Sequence, residues 1–106
     1  MSDKKKSIKK DSDVKVKDRL EVQKPKKYKV ILHNDDYTPM EYVVLLLIQH
    51  FHMGQESATN IMLAIHNSGK GIAGVYSKEI AETKANACNL LSSELGYPLL
   101  AEIEAE

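Results

Sequence analysis

The stretch YKVILHNDDYTPMEYV, Tyr28–Val43, joins a strand pattern to a helix pattern through a short acidic turn. Its first six residues, Tyr28–His33, are mostly apolar and β-branched and precede turn-forming residues, so they predict a strand. Residues 34–37, NDDY, are a turn by composition. Thr38 and Glu41 then form a T-x-x-E capping box, which predicts that a helix starts at this point.

The residues downstream of this stretch predict two more helices and two more strands. Apolar residues spaced i, i+3, i+4 and i+7 indicate helix, and alternating apolar and charged residues indicate strand. The predicted elements are a helix over about Pro39–Phe51, a second helix ending at Gly69, a strand over Gly71–Tyr76, a third helix from Ser77 to about Leu95, and a strand over Leu99–Glu104.

The resulting order, β-α-α-β-α-β, predicts an α+β fold in a single small domain. We expect the three helices to pack on one face of a three-stranded, mostly antiparallel sheet, because their apolar stripes need a common surface to cover. The domain is expected to span residues 27–106.

Charge divides the chain into two parts, although the net charge is zero. Residues 1–27 hold eleven of the fifteen Lys and Arg residues and five of the fifteen acids, whereas residues 28–106 are acidic. We predict that residues 1–26 form a flexible basic tail, because they contain too few apolar residues to build a core. Such a tail could bind nucleic acid, so a small nucleic-acid- or ribosome-associated protein is the alternative function, although the acidic domain argues against it.

Several classes of protein are disfavoured by the composition. A single cysteine, Cys88, excludes an intramolecular disulfide, and neither a long apolar run nor a secretory signal is present, so a cytoplasmic protein is expected. The histidines lack zinc-ligand spacing, so we expect no metal and no cofactor. No Ser or Cys lies in a nucleophile motif, so an enzyme is not expected. A hydrolase using Asp35, Asp36 and His66 is a remote alternative.

A binding pocket is the remaining hypothesis. Met62 and His66 are four residues apart and therefore share one face of the second helix. If that face lies opposite residues 34–36, the two segments enclose a pocket with an anionic mouth and an apolar interior, which suits a cation next to a bulky apolar group. Alternatively, Met62 is a core residue and His66 a polar rim, and sequence spacing alone does not decide between them.

Five runs occur in order along the chain: YKVILHNDDYTPMEYV, MLAIH, GKGIAGVYS, EIAETKA and PLLAEIE. Over about Lys27–Glu104 they resemble ClpS, the adaptor family of the ATP-dependent Clp protease. The resemblance implies a fold like the C-terminal domain of the ribosomal stalk protein. It also implies a monomeric, non-enzymatic adaptor with no cofactor, and with neither nucleic acid nor membrane as a partner.

The function implied by the resemblance is recognition of N-degrons in the bacterial N-end rule. Such an adaptor binds substrates that begin with Leu, Phe, Tyr or Trp and delivers them to the N-terminal domain of the ClpA unfoldase, whose substrate choice it modulates, for degradation by ClpP. By the same resemblance, Asn34 and His66 would hydrogen-bond the α-amino group of the substrate. Asp35 and Asp36 would add hydrogen bonds, water links and negative potential, and Thr38 would contact the start of the peptide.

The resemblance also implies which residues line the hydrophobic pocket and which surface meets the unfoldase. Met40 corresponds to a gate that rejects Val and Ile, and Ile65 stands where valine is frequent, so its extra methylene would narrow the cavity. The implied pocket residues are Met40, Val43, Met62, Ile65 and Leu99, and the implied unfoldase-facing residues are Glu79, Glu82 and Lys84. Lys84 also interrupts an apolar helix stripe, for which the alternative is a buried stem with a solvated ammonium group.

Overall fold

The computed structural model describes residues 25–106 of the chain. These residues form six elements in the predicted order β-α-α-β-α-β, which confirms the α+β fold class. The elements are β1 (Tyr28–His33), α1 (Met40–Phe51), α2 (Gln55–Ser68), β2 (Lys70–Tyr76), α3 (Lys78–Glu94) and β3 (Leu100–Ala105). The predicted tail, residues 1–26, lies outside the described residues except for Pro25 and Lys26.

The first strand is the centre of the sheet. The strand order is β2-β1-β3, and both pairings are antiparallel. An irregularity between Val30 and Ile31 shifts the register against β2, so that Val30 pairs with Gly74 and Ile31 with Ile72. Because β1 is paired on both sides, the turn that follows it leaves from the middle of the sheet.

The core lies between the helices and one face of this sheet. Val30 and Leu32 are fully buried on β1, and Ala73 and Ala101 face the same core from the neighbouring strands. The first helix contributes four buried residues to it, namely Val43, Leu46, Leu47 and Phe51. Residues Tyr42–Ile48 of this helix are apolar without a break. Leu45 among them is 53% exposed, so the core accounts for only part of this run.

The predicted helix boundaries are close to the observed ones, but the capping box is wrong. Pro39 is the N-cap residue of α1, and no side chain bonds the first turn. The Thr38 hydroxyl instead donates to Asp35, 2.7 Å away, so it is used in the preceding turn. Gly69 ends α2 as predicted, in a left-handed conformation with φ of 94°, which glycine adopts without a Cβ penalty.

Cys88 is part of the core on α3. Burial raises the pKa of its thiol to about 11, against a smaller lowering by Lys84, so the group stays protonated and unreactive at neutral pH. None of the helices within residues 25–106 has the length and hydropathy that a membrane span requires.

Candidate functional site

A cavity of about 120 Å³ lies where β1 ends, between the start of α1 and the second half of α2. The residues predicted to bind the α-amino group, the peptide start and the first side chain all line it, together with one residue that was not predicted, His33. The lining is His33, Asn34, Asp35, Asp36, Thr38, Met40, Val43, Met62, Ile65, His66 and Leu99. The structure therefore brings the turn and the second helix together, while the roles of these residues stay predictions.

The cavity changes from polar to apolar with depth. Val43, Ile65 and Leu99 are 6%, 3% and 5% exposed and form its interior. Met40 is 42% exposed, and Met62 is half-buried, so the two methionines lie between the interior and the surface. Methionine side chains adapt their shape to an occupant more readily than branched side chains do.

A backbone hydrogen bond holds the mouth of the cavity in place. The Asn34 N–H donates to the Gly69 carbonyl at 2.9 Å, and the Gly69 N–H donates to the Ile65 carbonyl at 2.9 Å. The end of β1 is thereby attached to the end of α2. This attachment brings Asn34 to the end of the helix that carries His66, and both residues line the cavity although the sequence separates them by more than thirty residues.

Asp35 is an internal brace of the turn. One carboxylate oxygen accepts from the backbone N–H groups of Tyr37 and Thr38, at 2.8 and 2.7 Å, and the other accepts from the Thr38 hydroxyl. Burial alone would raise the pKa of Asp35, but these three hydrogen bonds together outweigh it, and the pKa is lower than its ordinary value. Both oxygens are therefore engaged inside the protein, and Asp35 contributes negative charge and turn geometry to the site.

The remaining polar groups at the mouth face outward. Asn34, Asp36 and His66 are exposed, and their side chains make no hydrogen bond or ion pair with other residues in the described part of the chain. A carboxylate, an amide oxygen and an imidazole nitrogen can each accept a hydrogen bond. No Lys or Arg lines the cavity among residues 25–106. The mouth can thus accept several hydrogen bonds from a cation.

His33 was missed as a lining residue. Its Nε2 lies 2.9 Å from a carboxylate oxygen of Glu102 on β3, in an exposed cross-strand pair. Its position directly before Asn34 was the available signal, but the strand pattern identified it only as the last residue of a strand. The contact with Glu102 ties the last residue of β1 to β3 on the side away from β2.

The residues predicted to face the unfoldase lie on α3, away from the cavity. Glu79 and Glu82 are exposed, three residues apart on one helix face. Lys84 is half-buried, and its ammonium group donates to the His50 carbonyl at 2.7 Å. The same group lies 5.6 Å from the ring centroid of Phe51 and 5.3 Å from that of Tyr76. The ammonium of Lys84 is therefore held by the protein and is not simply solvated.

Within residues 25–106, no three His, Cys, Asp or Glu side chains are grouped so that they could hold a metal ion. The acid and base residues at the mouth have no Ser or Cys beside them in the cavity lining.

Comparison with known proteins identifies close relatives. Residues 23–102 match the family described as ATP-dependent Clp protease adaptor protein ClpS. The chain is 48% identical over 83 residues to the adapter protein ClpS of Lawsonia intracellularis, covering 78% of this chain and 76% of the relative. It is 47% identical over 93 residues to that of Vibrio atlanticus, covering 88% of each.

A solved structure gives the same result in three dimensions. The structure of Agrobacterium tumefaciens ClpS2 bound to L-phenylalaninamide superposes with a TM-score of 0.76 at 41% identity. The match covers 78% of this chain and all of that chain.

Proposed function

The chain belongs to the ClpS family of ATP-dependent Clp protease adaptor proteins, and we propose that it captures substrates that begin with Leu, Phe, Tyr or Trp. In this proposal it delivers them, in the cytoplasm, to the N-terminal domain of the ClpA unfoldase for degradation by ClpAP. Adaptors of this family act on substrate choice and catalyse no reaction, which confirms the prediction that the chain is not an enzyme.

The observation that carries the proposal is the cavity, whose mouth accepts hydrogen bonds and whose interior is apolar. A free chain start combines a cation with three N–H donors and a first side chain on the neighbouring carbon. Asn34 and His66 are assigned to the α-amino group, Asp36 and Asp35 to its charge, and Thr38 to the start of the peptide. L-Phenylalaninamide, the ligand of the Agrobacterium protein, has a free amino group next to an aromatic side chain.

The size of the cavity suits one large apolar side chain. Apolar protein cavities of about 150 Å³ bind benzene, so a cavity of about 120 Å³ accommodates a leucine side chain or, with small movements of its methionines, an aromatic ring. Val43, Ile65 and Leu99 are assigned to the interior and Met62 to the wall. Met40 is assigned to the gate that rejects Val and Ile.

Neither the first side chain nor the charged amino group of the substrate is sufficient by itself for micromolar affinity. Burying a Leu or Phe side chain contributes roughly 1.5–3 kcal/mol. Each hydrogen bond to a charged group contributes roughly 1.5–3 kcal/mol. Micromolar binding requires about 8 kcal/mol beyond the cost of association, so both must be engaged together. An internal leucine is excluded because its peptide N–H has no charge and its chain continues into the wall.

Delivery is assigned to the exposed acids on α3. Glu79 and Glu82 are free to meet a partner, whereas Lys84 already contacts three groups of the domain. Replacement of Glu79 or Glu82 by alanine therefore tests the unfoldase-facing surface directly. Replacement of Lys84 tests it only if the domain keeps its stability.

The experiment is a binding titration with peptides that differ only in residue one, each with a fluorescent label at the far end. Peptides beginning with Leu, Phe, Tyr or Trp are expected to bind at least tenfold more tightly than those beginning with Ala or Asp, equivalent to about 1.4 kcal/mol. Acetylation of the amino group is expected to abolish the difference. Equal binding of a Leu peptide and its acetylated form would contradict the proposal.

Two substitutions locate the interaction, and a third serves as the control. Asn34→Ala and His66→Ala are each expected to weaken binding of the Leu peptide by about tenfold or more, because each removes an acceptor from a charged donor. Asn67→Ala, an exposed position next to His66 that does not line the cavity, is expected to bind like the parent. Parental affinity in the His66→Ala and Asn34→Ala variants would refute their assigned roles.

A further inference from the structure

Gly71 on β2 packs directly against the side chain that walls the cavity. A β-carbon at position 71 would lie 2.7 Å from Cγ1 of Ile65 and 3.6 Å from its Cδ1. The first distance is shorter than two carbon atoms can approach without one of them moving, because favourable carbon contacts lie at about 3.5–4.0 Å. Gly71 therefore provides the space that the longer arm of Ile65 occupies.

This space bears on the shape of the cavity. Ile65 is 3% exposed and lines the cavity, whereas Gly71 does not line it. A β-carbon at position 71 would meet Cγ1 of Ile65 first, a carbon that valine also carries, and the extra carbon of isoleucine, Cδ1, would lie at an ordinary contact distance of 3.6 Å. Both carbons of the longer arm of Ile65 lie within 4 Å of the position that a β-carbon of residue 71 would take, so the room at Gly71 bears on where this arm can lie.

We propose that Gly71 is a specificity-determining residue. Because it has no side chain, it leaves room for Cγ1 and Cδ1 of Ile65, and the cavity stays wide enough for aromatic first residues. Protein interiors are close-packed, so an atom displaced from one contact moves into the nearest unfilled space. For Ile65 that space is the cavity. Any side chain at position 71 therefore reduces the cavity without touching the ligand. This inference rests on the proposed function, because it concerns the ranking of first residues.

The expected consequence is selective. Gly71→Ala lowers the affinity for peptides beginning with Trp or Phe by about tenfold, at the low end of the cost of overpacking a well-filled site. Peptides beginning with Leu lose about threefold or less, because their side chain is smaller and more adaptable. No backbone strain contributes, since Gly71 does not have a positive φ.

A double-mutant cycle separates this effect from general damage to the fold. The four proteins are the parent, Gly71→Ala, Ile65→Ala and the double variant, each titrated with Leu-, Phe- and Trp-initiated peptides. Alanine at position 65 lacks the Cγ1 carbon that an alanine at position 71 would meet at 2.7 Å. Gly71→Ala is therefore expected to add no aromatic penalty in the Ile65→Ala background. The midpoint of thermal unfolding is measured for each protein to confirm that titrations are made on folded material.

The outcomes are distinguishable. An equal loss for all peptides in Gly71→Ala, no loss, or a loss for aromatic peptides that persists in the double variant would overturn the inference. If Gly71→Ala does not fold, the single Ile65→Ala and the double variant still decide. The same ranking in both supports the inference, and an aromatic penalty in the double variant refutes it. Failure of the parent to prefer bulky first residues over alanine would instead refute the proposed function.

Discussion

Lys84→Met removes an ammonium group that joins α3 to the end of α1, while it retains most of the apolar stem. The group donates a hydrogen bond of 2.7 Å to the carbonyl of His50, in the last turn of α1. The last four carbonyls of a helix have no partner within the helix, so this bond satisfies one of them. The ammonium also faces the rings of Phe51 and Tyr76.

The expected loss of stability follows from these contacts. A hydrogen bond from a charged donor contributes roughly 1.5–3 kcal/mol, and a cation–π contact at a partly exposed site contributes about 0.5–1 kcal/mol. The centroid distances of 5.6 and 5.3 Å are close to the outer limit of about 6 Å for such contacts, so the lower values apply. We expect a loss of about 2 kcal/mol in the free energy of unfolding, which lowers the midpoint of thermal unfolding by roughly 8–16 °C.

The assay is urea unfolding followed by circular dichroism at 222 nm, with thermal unfolding as a second measurement. Lys78→Met is the matched control, because the Lys78 ammonium is 6.0 Å from the ring of Tyr28 and its residue is exposed. The control is expected to stay within about 0.5 kcal/mol of the parent. A Lys84→Met protein as stable as the control would refute the reasoning and leave Lys84 free for a direct role at the partner surface.

Three further predictions concern the turn and the gate. Gly69→Ala is expected to destabilise the domain by about 1–2 kcal/mol, because alanine is strained at φ of 94°. The control Gly54→Ala is expected to leave stability unchanged, because Gly54 has φ of −73° and open space around it. Urea unfolding of both variants checks this. Met40→Ala is expected to admit peptides beginning with Val or Ile, while Leu45→Ala on the same helix is not, and continued rejection in titrations would place the gate elsewhere. The pKa of Asp35 is lower in the folded protein than in the unfolded chain. The contribution of its carboxylate to the free energy of unfolding is therefore complete above the ordinary carboxyl pKa and is lost as pH falls through the lowered value. The stability difference between the parent and Asp35→Asn is therefore expected to shrink below about pH 4 in urea titrations. A constant difference down to about pH 2 would contradict the role of the Asp35 carboxylate in stabilising the turn.

Local patterns were sufficient for the order and type of the elements. The β-branched residues of β1 before the turn formers, the apolar spacing of α2 and the stop at Gly69 depend on residues within a few positions of one another, so they are visible in the sequence. The same local reasoning failed at the start of α1. Thr38 had two possible hydrogen-bond partners, and Asp35 competed successfully for its hydroxyl.

The residue types of the candidate site were also predictable, because the turn, the first helix and the face shared by Met62 and His66 indicated a polar mouth and an apolar interior. Family resemblance was needed to add Leu99, and His33 was not found.

By itself, the sequence determined the order of strands and helices, the acidic turn at residues 34–36 and the membership of the family, because each is encoded in neighbouring residues or in ordered motifs. Three contacts were decided by the tertiary structure alone. The Asn34 N–H donates to the Gly69 carbonyl, the Lys84 ammonium donates to a carbonyl in the last turn of α1, and Ile65 packs against Gly71. The physical reason is that these contacts join residues on different elements. The distances between such residues depend on how the helices pack against the sheet. Close packing determines that arrangement for the whole domain at once.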